Sequence, residues 1–377
     1  MAAEEEPETG RRRPRPTSPA GLAAVVLLLT ATWLTAGGDA PGPGAGRRDA
    51  PYRKARFLIT TGVPQNGERT NGNPPWLQVR AVTGTPQDRP VHAVPPPSPS
   101  AGTVREIIEG PGGTFVAVAA RARPCTSRIY RFRLTGDGHA TGIEPVPGGT
   151  VAALAGGVAI SPDGRRVAFT TAPCAGRQPG TSRGVLPATR PSTATLTVLD
   201  TASGHRRTWT SGVNSTIGEI LWARDGRTLG YALGEVVRRA PAPPSYDGLP
   251  APGPGVRGTT VHALDVRTAG TRLPAGRVLY RHQDGAGILL SATMGPDGRT
   301  GFGMMRKDEP ASDVLFTFAE GRPIRVTRTI PHRPGMGIGV ARGEPRYACL
   351  GGLDAFGRVV EGTLSSGRET CGSAYAR

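Results

Sequence analysis

The chain has 377 residues, including 55 glycines and 38 prolines, and its formal net charge at pH 7 is +17. This length permits two domains, although all-β repeat folds of this size also form one unit, and so much Gly and Pro indicates either many short strands or disorder. Lys54 and Lys307 are the only lysines, so scattered arginines carry the charge. That usage is typical of a GC-rich, actinobacterial-type genome, and the scatter argues against a massed nucleic-acid-binding segment.

The first 38 residues have the charge pattern of a membrane anchor. Arginines at positions 11, 12, 13 and 15 precede an uncharged run, residues 16–38, whose apolar centre is Leu22–Leu29. A span needs about 20 apolar residues, so residues 1–15 are predicted to be a short basic cytoplasmic tail and 16–38 a transmembrane helix. A cleaved signal peptide is the alternative, because Thr35–Gly37 is an acceptable small-residue cleavage site.

The orientation of this anchor is contested by charge. The first arginine cluster favours a cytoplasmic tail, whereas Arg47, Arg48, Arg53 and Lys54 lie on the other side of the apolar run. The body holds four cysteines, an even number compatible with disulfides, so we expect it outside the cytoplasm. Residues 39–51 are predicted to be a Pro/Gly stalk and 52–377 the folded domain of a single-pass cell-membrane protein, or of a secreted protein if the anchor is cleaved.

One short pattern recurs along the body. A turn that ends in glycine is followed by an apolar run, and the turn residues concerned are Gly113, Asp163, Gly164, Asp225, Gly226, Asp297, Gly298 and, more weakly, Gly357. Asp hydrogen-bonds its own backbone in such turns and Gly adopts the left-handed conformation that closes them. Because apolar residues also precede each turn, the pattern predicts five hairpins.

A second strand pair follows each hairpin. Alternating segments such as 128–134, 196–200 and 261–266 end in another turn signal and lead into a further strand, so one unit holds about four strands. Segments 56–61 and 76–84 fit an earlier unit. Repeats of this kind predict an all-β fold, a β-propeller of about six four-stranded blades, with five to seven possible. Strands near Phe57 are expected to close the ring with a last blade built by residues 358–376.

The segment Ser161–Phe169, SPDGRRVAF, resembles the repeat of TolB-like, WD-repeat-related β-propellers. The resemblance covers about residues 56–362, and three turns keep the Asp-Gly pair. It implies a radial propeller with binding surfaces at its faces, and it implies no catalysis.

The sequence contains no motif for catalysis, cofactor binding or metal binding with the surrounding strands and helices that such a motif requires. Residues 180–184 match G-x-S-x-G but lack the strand and helix of a nucleophile elbow, and residues 253–258 match G-x-G-x-x-G but are expected to form a flexible loop. The six histidines are dispersed, so no zinc motif is predicted. A site assembled across blades at the central channel would leave no local motif in the sequence.

The cysteines indicate structural disulfides. Cys125 and Cys174 follow equivalent strands of adjacent units, which places them on one face and within reach of each other, and Cys349 and Cys371 flank the last hairpin. The alternative is four free buried thiols.

These features favour a non-enzymatic extracytoplasmic binding or scaffold protein. Its long inserts would hold a protein or cell-envelope glycan, because binding residues tend to lie on loops of a rigid frame. The alternative is a propeller-fold hydrolase or lyase with its site at the central channel. A membrane-bound regulator that signals through the short tail is a third hypothesis. No cofactor is predicted.

Overall fold

The computed structural model describes much of the body and none of the first 55 residues. The described ranges are 56–61, 75–81, 90–174, 193–237, 255–283, 285–307, 312–331, 337–340, 348–351, 356–360, 363–365 and 374–376. They belong to one compact unit, Arg53–Arg377. The predicted tail, anchor and stalk lie outside the described residues. Within the described ranges no helix is long and apolar enough to cross a membrane.

The described chain forms antiparallel strands that pair into six four-stranded sheets. Sheet 1 combines β1 (Phe57–Thr61), β2 (Leu77–Ala81) and β3 (Pro90–Val94) with a strand from the far end of the chain. Sheet 2 contains β4 (Thr103–Glu109), β5 (Thr114–Ala122), β6 (Cys125–Leu134) and β7 (Ala140–Val151). Sheet 3 contains β8 (Leu154–Ile160), β9 (Arg166–Ala172), β10 (Thr193–Asp200) and β11 (Arg206–Val213).

The later sheets repeat the same order. Sheet 4 contains β12 (Ser215–Trp222), β13 (Thr228–Val237), β14 (Gly255–Asp265) and β15 (Arg277–Arg281). Sheet 5 contains β16 (Ile288–Met294), β17 (Thr300–Lys307), β18 (Ser312–Ala319) and β19 (Arg325–Pro331). Sheet 6 contains β20 (Gly337–Val340), β21 (Ala348–Gly351), β22 (Phe356–Val360) and β23 (Thr363–Ser365), and β24 (Ala374–Ala376) completes sheet 1.

This architecture is an all-β propeller with four-stranded blades, as the sequence predicts. The number of sheets lies within the predicted range of five to seven. Side chains are described in most of sheets 1 to 5, whereas β24 and sheet 6 are described by their backbone. Neighbouring sheets contact each other mainly through their first strands, as when β4 contacts β8 and β8 contacts β12. Segments 56–61 and 76–84 do contribute strands of an early blade.

Strands from both ends of the chain close the ring. Residues 57–59 of β1 pair with residues 374–376 of β24, so the expectation of a shared closing blade is confirmed. Its predicted composition was wrong, because Arg358 lies in β22 of sheet 6 and the C-terminal segment supplies one strand alone. Such closure removes the open sheet edge that would otherwise pair with other chains.

The apolar core lies in layers between adjacent sheets. Alternating strand residues bury Val118 and Ile129 of sheet 2 against Val158 and Phe169 of sheet 3. A second layer packs Trp209 of sheet 3 against sheet 4, and a third packs sheet 4 against sheet 5. Because each sheet is covered on both faces, its central strands are nearly continuous runs of buried residues, as in β5 and β9.

Two sequence predictions fail at particular glycines. Gly357 was predicted to close a turn like the others, but it lies inside β22 and pairs with Leu350, so this hairpin joins the second and third strands of its sheet rather than the first and second. Gly255 and Gly258 were predicted to lie in a flexible loop, but they belong to β14. Pairing of Val256 with Val236 extends the hairpin through the glycine-rich segment, with a bulge where Leu233 gives way to Glu235.

Candidate functional site

The repeated Asp-Gly turns lie at one edge of their sheets and share one hydrogen-bond pattern. In sheet 3 a carboxylate oxygen of Asp163 accepts from the hydroxyl of Ser161 at 2.5 Å and from the amide of Arg165 at 3.0 Å. Gly164 closes the turn with φ of 71°, a left-handed value that glycine adopts without strain. The predicted turn role is therefore confirmed at this position.

The matching turns of sheets 4 and 5 are built alike. The Oδ1 atoms of Asp225 and Asp297 each accept two backbone amides, at 2.8 Å and 2.9 Å respectively. Gly226 and Gly298 have φ values of 64° and 70°. Gly113 also has a positive φ, 69°, and ends a short 3-10 turn in sheet 2.

These turns lie at the same edge of three consecutive sheets, and together we call them the turn face. It comprises the turns that join first to second and third to fourth strands in sheets 3, 4 and 5, namely residues 161–166, 200–207, 223–228, 265–277, 295–300 and 320–325. Twelve arginines and six carboxylates lie in these segments. The turn face therefore carries a formal excess of six positive charges, and excess charge of one sign attracts oppositely charged partners.

Hydrogen bonds between neighbouring sheets fix the turn face. The amide of Arg224 donates to the carbonyl of Pro296 at 2.8 Å, which joins sheet 4 to sheet 5. The guanidinium of Arg277 also crosses between these sheets and donates to the carbonyl of Gly298 at 3.1 Å. Between sheets 3 and 4 the amide of Thr210 donates to the carbonyl of Thr271 at 2.8 Å.

A groove opens on the turn face between sheets 3 and 4. Its volume is about 350 Å³, and it is lined by Arg166, Val198, Asp200, His205, Arg207, Val266 and Arg267. The two valines are buried and form an apolar wall. Three arginines and one aspartate therefore line a partly apolar cleft, an arrangement suited to an anion with an organic body.

Two of the groove arginines are held in place by aromatic rings. The guanidinium carbon of Arg166 lies 5.8 Å from the ring centroid of Trp222. Arg207 lies over Trp209 and donates to the carbonyls of Val266 and Thr268 of the next sheet. Arginine fixed in this way loses little conformational freedom on binding a ligand.

Asp200, the groove carboxylate, is occupied by its own turn. Its Oδ1 accepts from the amide of Ser203 at 2.8 Å, from the hydroxyl of Ser203 at 2.8 Å and from the amide of Ala202 at 3.1 Å. The Ser203 amide and then the Ser203 hydroxyl hold the pKa of Asp200 below its ordinary value. The turn thus occupies Oδ1 of this carboxylate, and among the described residues no ion pair joins Asp200 to the arginines of the groove.

Glu106 and Glu219 lie on first strands, the strands through which neighbouring sheets contact each other. The carboxylate of Glu106 on β4 accepts from the amides of Gly157 and Val158 on β8, at 2.9 Å and 2.8 Å. Glu219 lies on β12 at a similar irregularity in the strand pairing. Burial raises the pKa of Glu219, so this side chain could hold a proton at higher pH than an ordinary glutamate.

The predicted structural sites have mixed outcomes. Cys125 and Cys174 form a disulfide between sheets 2 and 3, with their Cα atoms 6.2 Å apart, which confirms the predicted pairing across adjacent blades. Cys371 and the side chain of Cys349 lie outside the described residues, so their pairing stays a prediction. The G-x-S-x-G segment, residues 180–184, also lies outside them.

The described histidines do not converge. The rings of His92 and His139 are tilted toward each other with centroids 5.0 Å apart. His205 lies in the groove, His262 lies within sheet 4, and His282 lies at the end of sheet 4. Within the described ranges no group of three His, Cys, Asp or Glu side chains could hold a metal ion.

Comparison with known proteins identifies no family. No protein-family model matches the chain, and no curated protein matches it. Solved structures are similar at low identity: an acylaminoacyl peptidase of Pyrococcus horikoshii is 13% identical with a TM-score of 0.40, over 70% of this chain and 38% of that one. Porphyromonas gingivalis dipeptidyl peptidase 4 is 10% identical with a TM-score of 0.38, over 78% of this chain and 44% of that one.

A third similar structure is itself a propeller domain. The β-propeller domain of the Trilobed protease from Pyrococcus furiosus is 11% identical with a TM-score of 0.36, over 71% of this chain and 83% of that one. The chain spans only 35% to 39% of the length of the first four peptidases that it matches. At these values the similarities assign no activity to this chain.

The sequence pattern predicts the turns but not the groove. Its lining comes from β9, β10, the turns after β10 and β14, and β11, segments that are up to about a hundred residues apart. The recurrence of arginine directly after the turn glycine, at Arg165, Arg227 and Arg299, was a usable signal. It indicates that the same edge of successive sheets carries positive charge.

Proposed function

We propose that this chain is an extracytoplasmic binding protein whose propeller holds an anionic ligand in the groove between sheets 3 and 4. The observation that carries the proposal is the grouping of Arg166, Arg207 and Arg267 around one turn-capping carboxylate. Guanidinium groups bind carboxylates and phosphates through paired hydrogen bonds, and the valine wall suits the organic part of such a ligand.

The groove has the rigidity expected of a binding site. Arg207 is fastened to two carbonyls of the neighbouring sheet, so the spacing of the two walls is set before a ligand arrives. Arg267 is exposed and its Nε lies 3.5 Å from the nearest oxygen of Asp265, a surface pair of little energetic consequence. A ligand anion would therefore compete easily for Arg267.

Titration calorimetry of the full chain with glycerol phosphate and with galacturonate tests this proposal. Both probes carry a small anionic group on a polar organic body. We expect saturable binding that weakens roughly tenfold to a hundredfold in Arg267→Gln, because a hydrogen bond to a charged group contributes about 1.5–3 kcal/mol. The matched control Arg123→Gln, an exposed arginine at the opposite edge, should bind normally. Equal affinity in both variants, or no saturable binding, would contradict the proposal.

The location of the propeller outside the cytoplasm is part of the proposal. It is supported by the Cys125–Cys174 disulfide, because disulfides persist in oxidising compartments. The apolar run at 16–38 is the proposed anchor. Treating intact cells with an impermeant protease should degrade the propeller while a cytoplasmic marker survives. Protection of the propeller in intact cells, with degradation after lysis, would place it inside.

A propeller-fold hydrolase or lyase is the second candidate, and Glu219 is the observation that favours it. A carboxyl whose pKa is raised by burial on a first strand is suited to act as a general acid. Under this alternative Glu219→Gln, which keeps the shape of the side chain, should abolish turnover of ester, peptide or uronate substrates. Turnover that is unchanged in Glu219→Gln would remove Glu219 from the mechanism.

A further inference from the structure

Exposed arginines recur on three consecutive sheets of the turn face. Arg165 of sheet 3, Arg224 of sheet 4 and Arg299 of sheet 5 are exposed, and within the described part of the chain none of their guanidinium groups makes a hydrogen bond or an ion pair. None of the three lines the groove. They are therefore a second set of positive charges on the same face.

The carboxylates next to these arginines do not pair with them. The Oδ1 atoms of Asp163, Asp225 and Asp297 are each occupied by backbone amides of their own turns. In the turns of Asp225 and Asp297 the other oxygen accepts from a threonine hydroxyl at 2.7 Å. Turn closure thus uses the acidic side chains and leaves the arginine side chains available to a partner.

The spacing of these charges is fixed by the fold. Each arginine sits in a hairpin turn closed by a left-handed glycine, and the Arg224–Pro296 hydrogen bond ties two of the turns together. The three guanidinium groups lie on three different sheets, so one small anion cannot contact all of them. A linear molecule with repeated negative charges can, and each further contact then forms at high effective concentration.

We propose that the turn face binds a flexible polyanionic polymer, whose repeated carboxylate or phosphate groups contact Arg165, Arg224 and Arg299 while one group occupies the groove. This inference rests on the proposed anion-binding function and specifies the class of ligand. Carboxylate and phosphate polymers share the chemistry that guanidinium groups recognise. Arginine paired with spaced anions also makes the affinity strongly dependent on salt, because binding releases counterions.

The test measures binding of the full chain to polygalacturonate, polyphosphate, neutral dextran and duplex DNA, with oligomers of increasing length for each anionic polymer. Affinity should increase with oligomer length and fall linearly on a log–log plot against salt. The triple variant Arg165→Gln, Arg224→Gln, Arg299→Gln should bind the long polymer at least tenfold more weakly and flatten the salt dependence by about one unit per arginine. Preference for polygalacturonate or for polyphosphate decides between the two sources of charge.

A matched variant distinguishes binding at the turn face from an effect of the total charge of the protein. Arg123, Arg281 and Lys307 are exposed, lie at the opposite edge of their sheets, and can be changed together to glutamine for the same loss of charge. This control should keep full polymer affinity. An equal loss in both triple variants would overturn the proposal, as would affinity that is independent of oligomer length. Binding of duplex DNA as tight as that of the other polymers would assign the face to nucleic acid instead.

The experiments distinguish failure of the groove function from failure of the polymer inference. If galacturonate still binds and Arg267→Gln still weakens it, but long polymers bind no tighter than monomers, the polymer inference is wrong and the groove function stands. If neither monomers nor polymers bind, both are wrong.

Discussion

The guanidinium carbon of Arg207 lies 4.9 Å from the ring centroid of Trp209, and from that position Arg207 donates to the carbonyl of Val266 at 2.8 Å. Trp209 and Arg207 belong to sheet 3, whereas Val266 belongs to sheet 4. One side chain thus connects the core between two blades to the surface groove. Stability of the blade interface and shape of the candidate site are for this reason coupled.

Replacing Arg207 should destabilise the protein even where lysine keeps the charge. Lysine lacks the planar fork that reaches several carbonyls while it stacks on an indole ring. We expect Arg207→Lys to lower the free energy of unfolding by about 1–3 kcal/mol, the combined scale of a charged hydrogen bond and a cation–π contact. Chemical denaturation measures this, with Arg322→Lys as control, because Arg322 is exposed and, among the described residues, its side chain makes no hydrogen bond or ion pair. Equal stability of the two variants would show that the contacts of the Arg207 guanidinium contribute nothing to stability.

The hydrogen bonds of Glu106 should stabilise the contact between sheets 2 and 3. Its two carboxylate oxygens accept the amides of Gly157 and Val158, which lie at a bulge of β8. Glu106→Gln replaces one acceptor with an NH2 group that faces a donor, so we expect a loss of about 1–3 kcal/mol in the free energy of unfolding. The neighbouring exposed residue gives the control, Arg105→Gln, which should change stability by less than about 0.5 kcal/mol. If Glu106→Gln leaves the free energy of unfolding unchanged, water replaces the carboxylate without cost.

Much of the fold is encoded locally, and the candidate site is not. Residues such as Asp163 and Gly164 determine a hairpin by their own hydrogen bonds and φ value, so the repeat is visible in a single sequence. At Gly357 the local pattern is not sufficient, since a similar pattern occurs there in a different strand pair. The groove depends on which sheets become neighbours, as in the contact of Arg207 with Val266, and such contacts over 59 positions leave no periodic trace.

Gly230 should tolerate no side chain. A Cβ atom at this position of β13 would lie 2.4 Å from the Cβ of Met294 in sheet 5, closer than packed atoms approach. Gly230→Ala must therefore push sheets 4 and 5 apart, and overpacking of this kind costs about 1–3 kcal/mol. In the paired β12 strand Gly218 has room, because a Cβ would meet Ala232 at 3.8 Å. Thermal unfolding should show a lower midpoint for Gly230→Ala and little change for Gly218→Ala; a reversed order would refute the close packing of these sheets.

His262 should make the propeller less stable in acid. The side chain is buried, its Nε2 lies 2.8 Å from the hydroxyl of Thr260, and within the described residues its Nδ1 has no hydrogen-bond partner. Burial and then the charge of Arg281 hold the pKa of His262 below its ordinary value of 6.5. The native state therefore resists protonation that the unfolded chain accepts.

The sign of the resulting pH dependence follows from proton linkage. Above about pH 6.5 both states hold a neutral imidazole, and below it the unfolded state binds more protons, so the free energy of unfolding falls as pH decreases toward the native pKa. We expect His262→Gln to flatten this decline, whatever its effect on stability at pH 8. His205→Gln, which changes an exposed histidine of the groove, should leave the decline intact. Denaturation curves between pH 8 and pH 4.5 measure both slopes, and an unchanged slope in His262→Gln would exclude this residue as the source.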